Sequence, residues 1–263
     1  MQIGIIKERR LDEKRVAATR DTVKKFIAMG LKVNIEKGAG ITAAITDHEY
    51  EEAGANILDD AQRVLENADI VLKVNKPIGP TDKDGSKLDE VKLLKSGSIL
   101  VSLMEPYKDR DLIGLIAKQN ITCFALELIP RITRAQTMDV LSSQSNLAGY
   151  KAVIEASTTY GKAFPMMMTA AGTVPPAKCL VMGAGVAGLQ AIATARRLGA
   201  VVSASDVRPA AKENVESLGA KFIAVEDEEF KQAETSGGYA KEMSDEYKKK
   251  QTELIAYTVA KQD

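Results

Sequence analysis

Apolar residues cluster in short blocks along the first half of the chain, and stretches with helical spacing separate the blocks. Gln2–Ile6, Lys32–Glu36, Asp69–Val74, Ser98–Leu103 and Ile121–Ala125 are such blocks. Short apolar runs bounded by polar segments have the length of buried strands. Between them, Arg20–Met29 places Val23, Phe26 and Ile27 on one helical face, and Asp109–Lys118 does the same with Leu112, Leu115 and Ile116. A third helical pattern covers Asp60–Asn67. Strands alternating with helices at this spacing predict a parallel sheet covered on both faces. The hydrophilic stretch Pro77–Asp89 reads as a surface connection.

The pattern changes at Pro130. The polar run to Tyr150 leads into a long helix that extends to about Ala163, where Pro165 stops it. Pro175-Pro176 then forces a loop. Beyond it come a strand at Lys178–Met182, a helix at Val186–Leu198 closed by Gly199, and strands at Ala200–Ala204 and Lys221–Val225. A charged helix, about Glu242 to Lys261, follows with Leu254, Ile255 and Val259 on one face. These elements predict an α/β protein of two domains, 1–140 and 141–263. The first is a parallel sheet of the flavodoxin-like or dehydrogenase-catalytic kind. The second is an incomplete Rossmann domain.

Composition narrows the function classes. Lys and Arg number 36 and Asp and Glu number 36, so the chain lacks the basic field that draws nucleic acid. There is no Trp and aromatics are only 5%. The core is therefore aliphatic, as suits buried parallel strands. Cys123 and Cys179 sit in apolar runs and read as buried thiols of a reducing compartment. The only histidine, His48, lies near a helix start and reads as a surface or capping residue, so no His-based metal site is expected. The one uncharged stretch that resembles a membrane span, Cys179–Ala195, is short for that purpose and broken by glycines. It fits strand, turn and helix better.

Those glycines carry the chemistry. Gly183, Gly185 and Gly188 form G-x-G-x-x-G between a strand and a helix. The first permits a tight turn, the second lets a pyrophosphate approach, and the third lets helix and strand pack closely. The helix N-terminus offers free N–H groups and partial positive charge to the phosphates. Ala184, Val186 and Val207 complete the turn and the strand end. Asp206 ends the next strand, close to the spacing from Gly183 expected of an acid that binds ribose hydroxyls. Its charge repels a 2′-phosphate and favours NAD(H), although Arg208 nearby could accept that phosphate. The alternative is a glycine-rich packing contact without a ligand. Histidine is scarce, which weakly favours hydride transfer between two nicotinamide rings, a reaction that needs close approach and no base. Lys7, Arg15 and Lys73 either line a cleft for an anion or are surface charges.

With these residues in place, the whole chain resembles the soluble NAD(H)-binding domain of the alpha subunit of proton-translocating NAD(P) transhydrogenase. The resemblance runs through I-K-E-R-R, P-R-I-T-R-A-Q-T-M-D-V-L-S-S-Q-S-N-L-A-G-Y, F-P-M-M-M-T-A-A-G-T-V-P-P-A, the glycine motif and E-T-S-G-G-Y-A-K-E-M. It implies that Arg131, Gln136, Asp139 and Ser142 surround the nicotinamide. Arg131 would pair with Asp139, Ser142 would bind the carboxamide, and Gln136 would reach toward NADP(H) on a partner domain. It implies that Gly237-Gly238-Tyr239 is a mobile loop closing over the nucleotide, with Tyr239 as its lid. By composition alone, the polar run is a helix cap and the glycine pair a surface turn.

The resemblance further implies a homodimer, an NADP-binding beta-subunit domain and membrane-spanning subunits as partners, and a place at the cytoplasmic face of the inner membrane. Alanine dehydrogenase is similar in fold. Its substrate histidine would fall near Leu103, and none is present there. The alternatives are an amino-acid dehydrogenase and a non-catalytic NAD-binding fragment. Too little chain follows Gly188 for two βαβαβ halves. That length predicts a truncated Rossmann half with one exposed sheet edge, and poor solubility or weak NADH binding for the isolated chain.

Overall fold

The computed structural model describes residues 1–80, 82, 87–130, 132–233 and 243–263. The chain divides into two units, Met1–Asp139 and Val140–Asp263. In the first, short aliphatic runs form β1 (Gln2–Ile5), β2 (Lys32–Glu36), β3 (Asn56–Leu58), β4 (Ile70–Leu72), β5 (Ile99–Ser102) and β6 (Thr122–Ala125). The helices between them are α1 (Arg20–Ala28), α2 (Asp47–Glu52), α3 (Ala61–Leu65), α4 (Glu90–Leu93) and α5 (Arg110–Lys118). The strands pair in parallel in the order β3-β2-β1-β4-β5-β6.

Two buried clusters cover this sheet. One holds Ile3, Ile5, Val23, Val33, Ile35 and Tyr50, and the other Ile6, Val64, Val71, Leu100 and Ile116. Ile3 and Ile5 of β1 face one cluster and Ile6, just past its end, joins the other, as in a sheet buried on both faces. Gly4 lets α3 sit close, since a Cβ there would stand 3.1 Å from the Val64 Cγ1 and 3.3 Å from the Val64 carbonyl oxygen. The order reverses direction between β1 and β4. In open α/β sheets the carboxyl ends of strands at such a point form the binding crevice.

Two short elements escape the hydrophobic pattern. β3 is only three residues long, and α2 is set by a capping box in which Thr46 and Glu49 bond each other's backbone. His48 is exposed on α2, beside Glu51 and Glu52, and Thr46 is the cap. The stretch Pro77–Asp89 is not wholly a surface connection. Pro77, Ile78 and Gly79 are buried, and the Ile78 N–H donates to the buried Glu90 carboxylate at 2.9 Å. The two thiols are half-buried and free, and burial pushes both upward in pKa.

The second unit begins with α6 (Val140–Thr159), shorter than its expected run to Ala163. The proline-bounded segment after it is not a plain loop. It forms an antiparallel ribbon of β7 (Met167–Thr169) and β8 (Gly172–Val174), with Met166, Met167 and Met168 exposed. Next come β9 (Lys178–Met182), α7 (Val186–Arg197), β10 (Val201–Ser205), α8 (Ala211–Ser217), β11 (Lys221–Phe222), α9 (Glu228–Lys231) and α10 (Asp245–Val259). The parallel sheet here has the order β11-β10-β9. Its core joins Ile192, Val202, Ala204, Val215, Phe222, Phe230 and Tyr247. Among the described residues, no helix is long and apolar enough to cross a membrane.

Candidate functional site

The glycine motif forms the turn between β9 and α7. Gly183 has φ +95°, a left-handed conformation that disfavours any side chain, and its N–H donates to the Ser205 carbonyl at 2.8 Å. Gly185 caps α7 without a side-chain hydrogen bond, and a Cβ there would meet open space. The first N–H groups of α7 therefore have no side-chain cap, and the space beside Gly185 is open. A Cβ on Gly188 would overlap the Gly183 carbonyl oxygen and lie 2.8 Å from its carbon. The three glycines thus supply a conformation, an opening and a close contact. Ala184 is buried between them, while Val186 and Val207 are exposed.

Asp206 stands at the carboxyl end of β10 and is only 8% exposed. Its Oδ2 accepts the Ala184 N–H at 2.7 Å, which ties the carboxylate to the glycine turn. Arg208 supplies the remaining contacts. Its backbone N–H and Nε donate to Oδ1 at 2.9 and 3.0 Å, and its Nη2 donates to Oδ2 at 3.0 Å. Burial raises the Asp206 pKa, but these hydrogen bonds outweigh it and hold the carboxyl below its ordinary value. The Arg208 fork is spent on Asp206 rather than held out for a phosphate. Gly183, Ala184, Gly185, Val186, Gly188, Asp206, Val207 and Arg208 are therefore gathered around one turn.

The other expected positions are distributed differently. Gln136 is exposed in a 3-10 turn, Thr133–Met138, and its carbonyl accepts the Asp139 N–H at 3.2 Å. Asp139 closes the first unit and Ser142 lies in the first turn of α6, both half-buried. Arg131 and Tyr239, with Gly237 and Gly238, lie outside the described residues. Among the described residues, no cluster of three or more His, Cys, Asp or Glu could hold a metal ion.

One constellation has no local signal in the sequence. At the switch point of the first sheet, Lys73 is buried between Glu8 and Glu90, its Nζ 3.3 and 3.2 Å from their carboxylates. Arg9 bonds Glu36 and approaches Glu90 at 3.5 Å. The Glu8 carboxylate also accepts the Val74 N–H at 2.7 Å. Burial raises the Glu8 pKa, and Lys73 opposes that rise. Lys73 is thus neither a surface charge nor an open cleft cation. Arg15 is held by Glu13 through Nε at 2.8 Å and Nη2 at 2.6 Å. Only the apolar pattern of β1 and β4 hinted that residues at their ends would meet.

Comparison with known proteins agrees with this architecture. The alanine dehydrogenase/PNT N-terminal domain matches residues 4–148, and the alanine dehydrogenase/PNT C-terminal domain matches residues 152–263. An NAD(P) transhydrogenase subunit alpha protein of Rhodospirillum rubrum is 55% identical over all 263 residues. A crystal structure of transhydrogenase from Sinorhizobium meliloti superposes with a TM-score of 0.88 at 52% identity, over 100% of this chain. The chain covers 67% and 68% of those two proteins, about two thirds of their length. Alanine dehydrogenase of Methanococcus maripaludis is 33% identical over 210 residues, 79% of this chain and 53% of its own. The chain belongs to the alanine dehydrogenase/PNT family, with transhydrogenase alpha subunits among its relatives.

Proposed function

We propose that this chain is the NAD(H)-binding part of a proton-translocating NAD(P) transhydrogenase. The observation that carries the reading is the glycine turn with Asp206 bonded to its backbone, next to an α7 N-terminus that no side chain caps. The residues fit a dinucleotide. Open space at Gly185 admits a pyrophosphate against the α7 N–H groups, whose dipole favours anions. Asp206 takes the adenosine ribose hydroxyls and repels a 2′-phosphate, so NAD(H) is held in preference to NADP(H). The engagement of Arg208 with Asp206 supports that preference.

When bound, NADH supplies a hydride from its nicotinamide ring. The chain's own part is to bind, orient and exclude water. Ser142 donates to the carboxamide, Asp139 fixes the loop beside the ring, and Gln136 reaches toward NADP(H) on the beta-subunit domain. Direct hydride transfer needs near-contact of two rings and no side-chain base, in keeping with a sole histidine exposed on α2. Membrane-spanning subunits couple the transfer to proton movement, and the chain acts as a homodimer at the cytoplasmic face of the inner membrane.

The test mixes the chain with the NADP-binding partner domain and follows hydride transfer from NADH to NADP+. Transfer is expected. Intact NADH binding without transfer overturns the reading. An amino-acid dehydrogenase would instead form NADH from alanine and NAD+ with no partner. The absence of a histidine in the segment after β5, around Leu103, speaks against that activity.

A further inference from the structure

Gly149 lies in the middle of α6 and is buried. A Cβ there would overlap the carbonyl oxygen of Ala187, with the carbonyl carbon at 2.8 Å and the Cα at 3.0 Å. Ala187 is the second residue of α7, two positions after Gly185. The two helix backbones therefore touch within the first turn of α7, at a spacing that excludes any side chain. Val153, one turn further along α6, is buried on the same side. Not every helical glycine here has such a role, since a Cβ on Gly114 in α5 would meet nothing. Ser142 precedes Gly149 by seven positions, about 10 Å along the helix axis. One helix thus carries the nicotinamide contact of the reading above, and the other carries the pyrophosphate cradle.

Resting on that reading, we propose that Gly149 is a positioning residue for the dinucleotide. Its missing side chain locks the register of α6 against α7, so that Ser142 and the α7 N-terminus grip two ends of the same NADH molecule. Two grips in fixed register add affinity because the second contact is intramolecular. A displacement of about 1 Å forfeits much of that gain.

The experiment titrates NADH and ADP-ribose against the full chain and its Gly149→Ala variant. ADP-ribose keeps the adenosine and pyrophosphate and lacks the nicotinamide. NADH should weaken about tenfold or more, while ADP-ribose stays within about twofold, because a single grip needs no register. Gly114→Ala should change neither. Equal weakening of both ligands, or no weakening of NADH, overturns the proposal. Failure of the unaltered chain to bind NADH overturns the nucleotide-binding reading itself, and the proposal with it. Should Gly149→Ala not fold, one alanine inserted between Asn146 and Leu147 turns the Ser142 end of α6 by about 100° and leaves the Gly149 contact in place. NADH should then bind no better than ADP-ribose, and a retained NADH advantage overturns the proposal.

Discussion

Asp206 has a carboxylate with about four acceptor positions, and the protein uses each of them. One contact comes from Ala184 and three come from Arg208. A ribose that approaches Asp206 must therefore displace part of the Arg208 fork. Asp206→Ala should weaken NADH by about 2 kcal/mol, the scale of hydrogen bonds to a charged group. It should also release Arg208 and improve the relative binding of NADPH. Titration of both nucleotides checks this, and unchanged NADH affinity would refute the ribose role. Glu13 is a second residue with a measurable consequence. Arg15 beside it holds its carboxyl at about 2, well below the ordinary 4.5. A depressed carboxylate stabilises the fold fully above its unfolded value and loses that contribution as pH falls toward its folded one. Glu13→Gln should thus flatten the loss of stability between about pH 4.5 and pH 2, read by urea unfolding at several pH values.

At the scale of elements, the turn between β9 and α7 divides its glycines between folding and binding. Gly185 has φ −78° and open space around it, so alanine there costs the fold little. Gly188 has a backbone carbonyl where its Cβ would be, and α7 must move to admit one. Gly188→Ala should cost about 1–3 kcal/mol, as overpacking does, and should lower NADH affinity as well. Gly185→Ala should leave the melting temperature unchanged and remove most of the NADH affinity. Thermal unfolding with nucleotide titration separates the two outcomes, and a destabilised Gly185→Ala would contradict the division.

At the scale of the whole molecule, each unit has its own organising feature. In the first, Glu8, Lys73 and Glu90 come from three separate parts of the chain and close the switch point of the sheet. Removing one partner of a buried ion pair leaves uncompensated charge. Lys73→Met should therefore cost about 3–5 kcal/mol, while the same change with Glu8→Gln and Glu90→Gln should cost far less. Urea unfolding of the two variants checks this, and equal losses would show that the charges do not depend on one another. In the second unit, β9 ends the sheet order and borders an apolar cavity of about 320 Å³ lined by Tyr160, Phe164, Cys179, Leu180 and Val259.

Local periodicity and turn chemistry operate over a few residues, and most of the elements are therefore legible along the chain. β1, β2, β5 and β6 arise where the apolar blocks lie, and the glycine turn and Asp206 follow from spacing between Gly183 and the end of β10. Elements too short to show a period, such as β3, and caps made by side chains, such as Thr46 with Glu49, were not legible in that pattern. Tertiary structure alone decided contacts between residues far apart in the chain. The order β3-β2-β1-β4-β5-β6 carries Lys73 to Glu8, 65 residues away, and converts an apparent surface charge into a buried one. Helix packing brings Gly149 to Ala187, and a hydrogen-bonded fork commits Arg208 to Asp206. The reason is that apolar patterning specifies which face of an element is buried, but the partner that covers that face emerges only when the elements assemble.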